Sequence, residues 1–259
     1  MSDEIFSRKT VNSVHSKLKH ALFGVLTGLV ISLPMNASAA VIKDFKASYE
    51  VDAFDIKLGT SQQTFRCEQQ NCTLTATASP SGIASWFLHE KTEEIIHLQQ
   101  TESGFAWQSY QKITRSTSEK GKILKTVNFV KTDSMPVRVN YVEKERFWPI
   151  QPKLYDMVSI AYALQYAKLN KQPLNGFHLQ DTNLQEAVDI SDSNPIESLE
   201  LADLETTVDA ERFEFETSKA KIKVWLLPSY DYFPGRIDVY NIEKDKTITL
   251  LLEELPETL

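Results

Sequence analysis

Cysteine is scarce in this sequence of 259 residues: Cys67 and Cys72, in the segment RCEQQNCTL, are the only two. A zinc site needs about four ligands, and here no second cysteine pair exists and the nearest histidine in sequence is His89. A thioredoxin-type redox motif has two residues between its cysteines, whereas four residues separate this pair. The spacing therefore argues against both a metal clasp and a redox pair.

Glycine and histidine are also scarce, which removes several catalytic motifs. The eight glycines are scattered, so no glycine-rich phosphate-binding loop is present. Neither SGIAS nor DSNP has the small-x-Ser-x-small form that a strained serine elbow requires. After residue 39 only His89, His97 and His178 remain, far apart in sequence. The sequence therefore predicts no catalytic residue, no metal site and no cofactor.

Basic residues are outnumbered, with 28 lysines and arginines against 35 aspartates and glutamates, and the formal net charge is −7. An acidic surface repels phosphate backbones, so nucleic-acid binding is not expected. Acidic residues are concentrated from Gln180 to Glu216, where Arg212 is the lone basic residue. This stretch is either a solvated strand face or a patch for a cationic partner. A calcium loop is discounted because the stretch contains no glycine.

Long apolar runs are absent apart from one near the amino terminus, ALFGVLTGLVISL from Ala21 to Leu33. This run is shorter than the roughly 20 residues that cross a bilayer as a helix. A basic region precedes it, and Pro34 and the triplet Ala37-Ser38-Ala39 follow it, as in a secretory signal. Residues 1–39 are therefore predicted to be a signal peptide cleaved after about Ala39. An uncleaved amino-terminal anchor is the alternative.

Export has consequences for the rest of the chain. Residues 40–259 are expected to form a single β-rich domain in the periplasm, with no transmembrane segment after cleavage of the signal. No cysteine follows the apolar run, which argues against a lipoprotein anchor. In an oxidising compartment, Cys67 and Cys72 on either side of the polar turn EQQN are predicted to form a disulfide that staples a hairpin.

From Phe45 onward apolar and polar residues mostly alternate, which is typical of strands with one buried face. The phase of this pattern slips at Ala53-Phe54, which predicts a bulge or bend, and Gly59 is expected to mark the turn. Another hairpin turn is predicted near Ser103-Gly104. The predicted fold class is all-β and mainly antiparallel, a strongly curved sheet or partly open barrel with one amphipathic helix packed on or in it.

One segment, PIQPKLYDMVSIAYALQYAKLNKQ, has helical periodicity. Its apolar residues recur at three- and four-residue steps, which predicts a helix over residues 153–168. Asp156 and Ser159 are one helical turn apart and are interpreted as capping the helix and positioning it against the sheet. Paired carboxylates of the glycosidase type leave no local signature, so a catalytic acidic pair stays open as an alternative.

Aromatic residues carry the remaining functional signal. They either fill the core or line an apolar cavity between the curved sheet and the helix, where a lipid or another envelope molecule could lodge. The candidate lining residues are Trp86, Phe87, Trp148, Tyr155, Trp225, Tyr232 and Phe233.

Four segments follow one another in a distinctive order: YEVDAFDIKLG, SGIASWFL, a proline-rich lead into YDMVSIAYALQ, and VWLLPSYDYFPGRIDVY. Together they resemble the domain of unknown function 3108 family of exported bacterial proteins, over most of residues 45–253. Family members typically carry Pro-Val-Arg after the aromatic pair, whereas Gly235 stands in the middle position here, before Arg236. The resemblance implies an exported all-β protein with a strongly bent antiparallel sheet, and it assigns no activity.

Three functions are compatible with these observations. The leading hypothesis is a non-enzymatic periplasmic protein of the cell envelope, whose curved sheet holds an apolar or lipid-like ligand or docks another envelope component. A carboxylate-dependent hydrolase acting on envelope glycan would instead need two carboxylates about 5 to 10 Å apart in one cleft. A structural module would bind a partner protein at an exposed sheet edge.

Overall fold

Segments in which apolar and polar residues alternate form strands along most of the chain, as the sequence pattern predicts. The computed structural model describes residues 39–54, 56–191, 195–202 and 207–258. Apart from Ala39, the predicted signal peptide lies outside the described residues and stays a prediction. The strands among the described residues are β1 (Phe45–Ala53), β2 (Ile56–Glu68), β3 (Asn71–Pro80), β4 (Glu90–Thr101), β5 (Gly104–Ser116), β6 (Ile123–Lys131), β7 (Arg138–Tyr141), β8 (Arg146–Pro149), β9 (Leu154–Tyr155), β10 (Phe177–Gln180), β11 (Gln185–Val188), β12 (Ile196–Glu200), β13 (Thr207–Glu216), β14 (Ala220–Leu227), β15 (Phe233–Asn241), β16 (Lys246–Leu252) and β17 (Glu257–Thr258).

One large antiparallel sheet contains fourteen of these strands, in the order β12-β13-β14-β15-β16-β1-β2-β3-β4-β5-β6-β7-β8, with β17 also paired to β1. Neighbours in this order follow one another along the chain, except where β16 pairs with β1. The sheet does not close, because β12 and β8 stand at its two ends. The predicted fold class, mainly antiparallel β with a large open sheet and one α-helix, is confirmed.

Strand register assigns one face of the large sheet to the core. Tyr49 on β1 lies opposite Ser61 on β2 and Leu252 on β16, and all three side chains are buried. On the same face Phe65 of β2 lies opposite Leu74 of β3, and both are fully buried. We call this the inner face. The opposite face carries most of the polar side chains, as expected for an antiparallel sheet that is wet on one side.

Helix α1 (Ser159–Leu169) lies against the inner face. The ring of Tyr162 is 5.0 Å from the ring of Phe45 on β1, and the ring of Tyr166 is 5.3 Å from that of Phe105 on β5. A helix of 11 residues reaches both strands because the sheet curves around it. The space between this helix and the sheet is therefore filled by aromatic rings.

The prediction of a helix over residues 153–168 is wrong at its start, because α1 begins at Ser159. Leu154–Tyr155 form β9 instead, which pairs in parallel with β10. Lys153 has a φ of 49°, so the chain changes direction immediately before this strand. Asp156 then accepts hydrogen bonds from two backbone N–H groups of the following turn, each at 2.9 Å, and the helix starts there.

The first hairpin has the bend predicted at Ala53-Phe54, but the prediction that Gly59 marks the turn is wrong. The chain turns at Phe54, which has a φ of 56°, after a register shift between Val51 and Asp52. Gly59 does not mark the turn but lies within β2, opposite Pro80 on β3. A Cβ atom at residue 59 would overlap the backbone carbonyl of Ser79. Glycine is needed at this position because the two strands approach closely.

A second sheet has three strands in the order β11-β10-β9. It contacts two distant parts of the large sheet. Arg146 on β8 donates to the backbone oxygen of Asn183, between β10 and β11, at 3.1 Å. The Glu186 carboxylate on β11 accepts a hydrogen bond from the backbone N–H of Ser218, between β13 and β14, at 2.7 Å. The small sheet thus spans part of the gap that the open large sheet leaves.

Cys67 and Cys72 form a disulfide, which confirms the predicted staple. The two residues lie directly opposite each other on β2 and β3, at the end of the hairpin. Cys72 is buried on the inner face, two residues before Leu74. No free cysteine occurs among the described residues. The cross-link therefore joins strands that already pair, and its main effect is to maintain their register.

Replacing both cysteines by serine is expected to lower the free energy of unfolding by about 2 kcal/mol, since the closed loop is short. Urea unfolding of the wild-type protein and the Cys67→Ser/Cys72→Ser variant, each with and without reductant, measures the difference. Reductant should shift the midpoint of the wild-type protein only. Equal midpoints for the oxidised and reduced wild-type protein would contradict a stabilising role for the disulfide.

Candidate functional site

Several connections between strands meet at one end of the large sheet, which we call the mouth. The connections at the mouth are the β1–β2 turn at Phe54, residues 81–89 between β3 and β4, residues 117–122 between β5 and β6, and residues 242–245 between β15 and β16. Backbone hydrogen bonds run from Ser81 to Leu58, at 3.1 Å, and from Thr117 to His89, at 2.9 Å. The Lys246 ammonium lies 5.1 Å from the centre of the Phe54 ring.

A pocket of about 470 Å³ opens to solvent at the mouth. Residues of neighbouring strands line its wall on the sheet, among them Val51 on β1, Ala78 on β3 and Ile248 on β16. Ala78 is small, and it leaves volume that a larger side chain would occupy. Phe87 and Leu88, from the connection between β3 and β4, form another side of the pocket. We call this the mouth pocket.

The connection between β3 and β4 holds two aromatic side chains away from the core. Trp86 is 74 % exposed and Phe87 is 75 % exposed. They follow a short 3-10 helix, Gly82–Trp86, in which the Ser85 hydroxyl donates to the Gly82 carbonyl at 2.7 Å. Contact between apolar surface and water is unfavourable by about 25 cal/mol per Å², so any ligand or surface that covers these rings gains free energy.

The seven aromatic residues predicted to line a cavity are not brought together by the described structure. Tyr155 and Phe233 are buried in the core, where the Tyr155 hydroxyl donates to the Phe105 carbonyl at 3.0 Å. Trp225 lies between strands β13 and β15, paired with Arg212 and Arg236. Its indole N–H donates to the Glu197 carboxylate at 2.8 Å. These three aromatic residues therefore contribute to packing within the fold.

The other members of the set lie in different places. Trp148 is half-buried and borders a separate pocket of about 350 Å³, together with Phe147 on the edge strand β8. Tyr232 is half-buried, with the Lys168 ammonium 5.5 Å from its ring centre. Of the seven, Phe87 lines the mouth pocket, and Trp86 stands beside it.

Sequence reasoning missed most of the mouth pocket, including Val51, Ala78, Leu88 and Ile248. The feature of the sequence that could have indicated the pocket is a set of small residues on the inner face of β2 and β3. Such a set becomes recognisable only when strand register is known, because register decides which residues of adjacent strands share a face. Leu88 is the last residue of the segment SGIASWFL, and nothing in the sequence distinguishes it from a core residue.

Asp156 is a buried carboxylate whose hydrogen bonds identify it as a helix cap. Its Oδ1 atom accepts from the backbone N–H groups of Val158 and Ser159, both at 2.9 Å. Its Oδ2 atom accepts from the Ser159 hydroxyl at 2.7 Å and from the Trp107 indole N–H at 3.2 Å. Burial raises the pKa of this carboxyl, and the hydrogen bonds from Ser159 and Val158 offset part of the rise. The predicted capping role of Asp156 and Ser159 is confirmed.

Glu94 on β4 is bound by two residues of the neighbouring strand β5. The Tyr110 hydroxyl donates to Glu94 at 2.9 Å, and the Lys112 ammonium donates at 2.6 Å. Burial raises the pKa of Tyr110, and the negative charge of Glu94 raises it further. Neither Glu94 nor Asp156 lines the mouth pocket. Among the residues that the structure describes, no three His, Cys, Asp or Glu side chains are grouped so that they could hold a metal ion.

The acidic stretch from Gln180 to Glu216 is described except for residues 192–194 and 203–206. Several of its carboxylates form ion pairs with basic side chains of the same chain. These pairs are Glu211 with Lys168, Glu197 with Arg212, and Asp181 with Lys219. Internal pairing favours the interpretation of this stretch as an ordinary surface of the fold over a patch for a cationic partner.

Comparison with known proteins gives similarity of architecture alone. No protein-family model matches the sequence, and no curated protein matches it. The chain is similar to a beta-barrel-like protein of domain of unknown function DUF1849 from Brucella abortus, at 9 % identity over 82 % of this chain and 97 % of that one, with a TM-score of 0.48.

Two further solved structures are similar at lower scores. A candidate lipoprotein from Parabacteroides distasonis has 8 % identity and a TM-score of 0.33, and a candidate exported protein with a YmcC-like fold from Bacteroides fragilis has 8 % identity and a TM-score of 0.32. Each match covers 83 % of this chain and 96 % of the other. The fold assignment above rests on the chain's own strand pairing, and the resemblance to the domain of unknown function 3108 family stays a prediction.

The described part of the chain has no helix with the length and apolar character needed to cross a membrane.

Proposed function

We propose that the protein is an exported protein of the cell envelope that binds an apolar, lipid-like ligand in the mouth pocket. The observation that carries this proposal is the position of Phe87 and Leu88, two exposed apolar side chains beside an open pocket of about 470 Å³. The Cys67–Cys72 disulfide and the predicted signal peptide support a periplasmic location, because disulfides persist in oxidising compartments.

The chemistry of the pocket suits an acyl chain. Val51, Leu58 and Ile248 supply aliphatic surface, and apolar atoms make up most of the lining. The polar lining residues are Thr60, Ser79, His89, Glu90 and Thr92, and a polar group of one of them can orient a polar end of the ligand. The glycan-hydrolase and sheet-edge hypotheses have no comparable observation in their favour and stay predictions.

Filling the mouth pocket should weaken binding of an apolar ligand. Ala78→Phe adds a ring to the pocket wall, and we expect roughly tenfold weaker binding of the fluorescent fatty acid parinaric acid, since the ring takes volume that an acyl chain needs. A fluorescence titration measures the dissociation constant. Thr77→Phe places the same ring at the neighbouring position of β3, which faces the other side of the sheet, and should leave the affinity unchanged.

Native mass spectrometry of protein purified from its own host gives an independent test. The wild-type protein is expected to carry a bound apolar molecule, and the Ala78→Phe variant is expected to lose it. Wild-type spectra that are consistently free of ligand, together with equal probe affinities for Ala78→Phe and Thr77→Phe, would refute the proposal.

A further inference from the structure

The exposed apolar side chains of the described residues are not distributed evenly. More than half of the large ones lie at the mouth or at the first residues of the strands that leave it. These are Phe54, Ile56, Trp86, Phe87, Leu88, Ile123, Leu124, Ile242 and Ile248. Soluble monomers rarely expose a contiguous apolar patch larger than about a few hundred Å², and larger patches mark interaction surfaces. The mouth pocket accounts for only three of these residues, Phe87, Leu88 and Ile248.

Lysines surround this apolar surface, although the whole chain has a net charge of −7. In the connections of the mouth and the first residues of their strands, basic side chains outnumber acidic ones. The lysines are Lys57, Lys91, Lys120, Lys122, Lys244 and Lys246, and the acidic residues are Asp55, Glu90, Glu119, Glu243 and Asp245. Lys57 forms ion pairs with Glu50 and Glu253, and Lys122 forms one with Glu119. A local excess of lysine on an acidic protein is complementary to an anionic partner.

Exposed aromatic and aliphatic side chains surrounded by lysines match the chemistry of a membrane interface. Tryptophan has an apolar body and a polar N–H group, and it concentrates at the level of lipid headgroups. Lysines adjacent to a lipid surface bind anionic headgroups, and the binding weakens as salt screens the charges. Trp86 fits this role because it is 74 % exposed and its side chain is not part of the mouth pocket.

We infer that the mouth binds an anionic phospholipid surface, with Trp86 and Phe87 inserted at the headgroup level and the surrounding lysines in contact with lipid phosphates. This inference goes beyond the proposed function, because docking on a bilayer does not require an occupied mouth pocket. It also accounts for the apolar side chains that the pocket does not use, such as Phe54 and Ile56.

Vesicle cosedimentation of the full chain tests this inference. We expect the wild-type protein to bind vesicles of phosphatidylcholine mixed with phosphatidylglycerol, to bind pure phosphatidylcholine vesicles more weakly, and to lose binding as the salt concentration rises. Trp86→Ser should lower the affinity roughly fivefold, because an inserted aromatic ring is lost. Phe147→Ser removes an exposed aromatic ring on the edge strand β8 and should have no effect. The apolar run Ala21–Leu33 is the same in all variants, so their differences report on the mouth.

Quenching by brominated lipids locates the contact. Trp107 and Trp225 are buried and Trp148 is half-buried on the edge strand β8, so insertion of the mouth should quench mainly the emission of Trp86. Trp86→Phe keeps an apolar ring and should retain binding while losing most of the quenching. Equal binding by the Trp86→Ser and Phe147→Ser variants, or the same quenching with and without Trp86, would overturn the inference. The inference would also be overturned if self-association in solution depended on Trp86 and vesicle binding did not.

The vesicle experiment and the ligand experiment can fail separately. The Ala78→Phe variant, whose pocket is filled, is expected to bind vesicles like the wild-type protein. Loss of both parinaric acid binding and vesicle binding in Ala78→Phe would show that the pocket carries the lipid contact, and the surface inference would be wrong. Vesicle binding by a wild-type protein that binds no parinaric acid and carries no copurified apolar molecule would refute the proposed function and leave the surface inference standing.

Discussion

Replacing Tyr162 by alanine is expected to lower the free energy of unfolding by about 4 kcal/mol, because a large ring is removed from a fully buried position. The ring packs on Phe45 and Phe233, at centroid distances of 5.0 and 6.0 Å. The Tyr162 hydroxyl also donates to the buried amide oxygen of Gln63 at 2.6 Å. The substitution thus leaves a cavity and an unpaired polar atom between the helix and the sheet.

Two control variants separate the contributions to this loss. Tyr162→Phe keeps the ring and removes the hydrogen bond to Gln63, and we expect it to cost about 1 to 2 kcal/mol. Tyr230→Ala removes a tyrosine at an exposed position and is expected to change stability by less than about 0.5 kcal/mol. Urea denaturation followed by circular dichroism measures all three. If Tyr162→Ala is no more destabilising than Tyr230→Ala, the helix–sheet interface is not the packed core described here.

Asp156→Ala is expected to lower the free energy of unfolding by about 3 kcal/mol, since two backbone N–H groups lose their cap and the buried Trp107 N–H loses its acceptor. Asp156→Asn should cost less, because the amide oxygen can still accept from the backbone. A buried carboxylate with a catalytic role would instead show a loss of activity without a comparable loss of stability. Chemical denaturation at neutral pH measures the loss of stability that a structural role of Asp156 predicts and a catalytic role does not.

Stability as a function of pH gives a second measurement at the same residue. Burial raises the pKa of Asp156 in the folded protein, so between the ordinary aspartate pKa and the raised value the folded state binds more protons than the unfolded state. Stability contributed by Asp156 therefore falls as pH rises through this window. As pH rises above about 4, the free energy of unfolding of the wild-type protein should therefore fall relative to that of Asp156→Asn. A difference independent of pH, or one that shifts in favour of the wild type, would contradict the direction of the pKa change.

Features that depend on neighbouring residues were predicted well from the sequence. The Cys67–Cys72 disulfide follows from two cysteines on either side of a short polar turn, and the hairpin turn before Gly104 follows from its glycine. The fold class follows from two-residue alternation, which records one buried and one wet face along each strand. These signals are contained within a few residues of sequence.

Features that depend on distant residues were predicted poorly. Leu154–Tyr155 continue the helical periodicity of the following segment, yet they form a strand because β10, more than twenty residues later, offers them a parallel partner. Gly59 resembles a turn residue but is selected by the close approach of β3. The seven aromatic residues predicted to line one cavity lie instead in the core, on β14, beside Lys168, at the sheet edge and at the mouth.

By itself, the sequence determined that this chain forms antiparallel strands, that one hairpin is cross-linked and that one helix packs against them, because each property is set by local spacing and side-chain chemistry. Only the tertiary structure decided that Val51, Ala78 and Ile248 share a pocket and that Trp86 and Phe87 stand outside the core beside it. The physical reason is that β16 pairs with β1, which brings together residues almost two hundred positions apart.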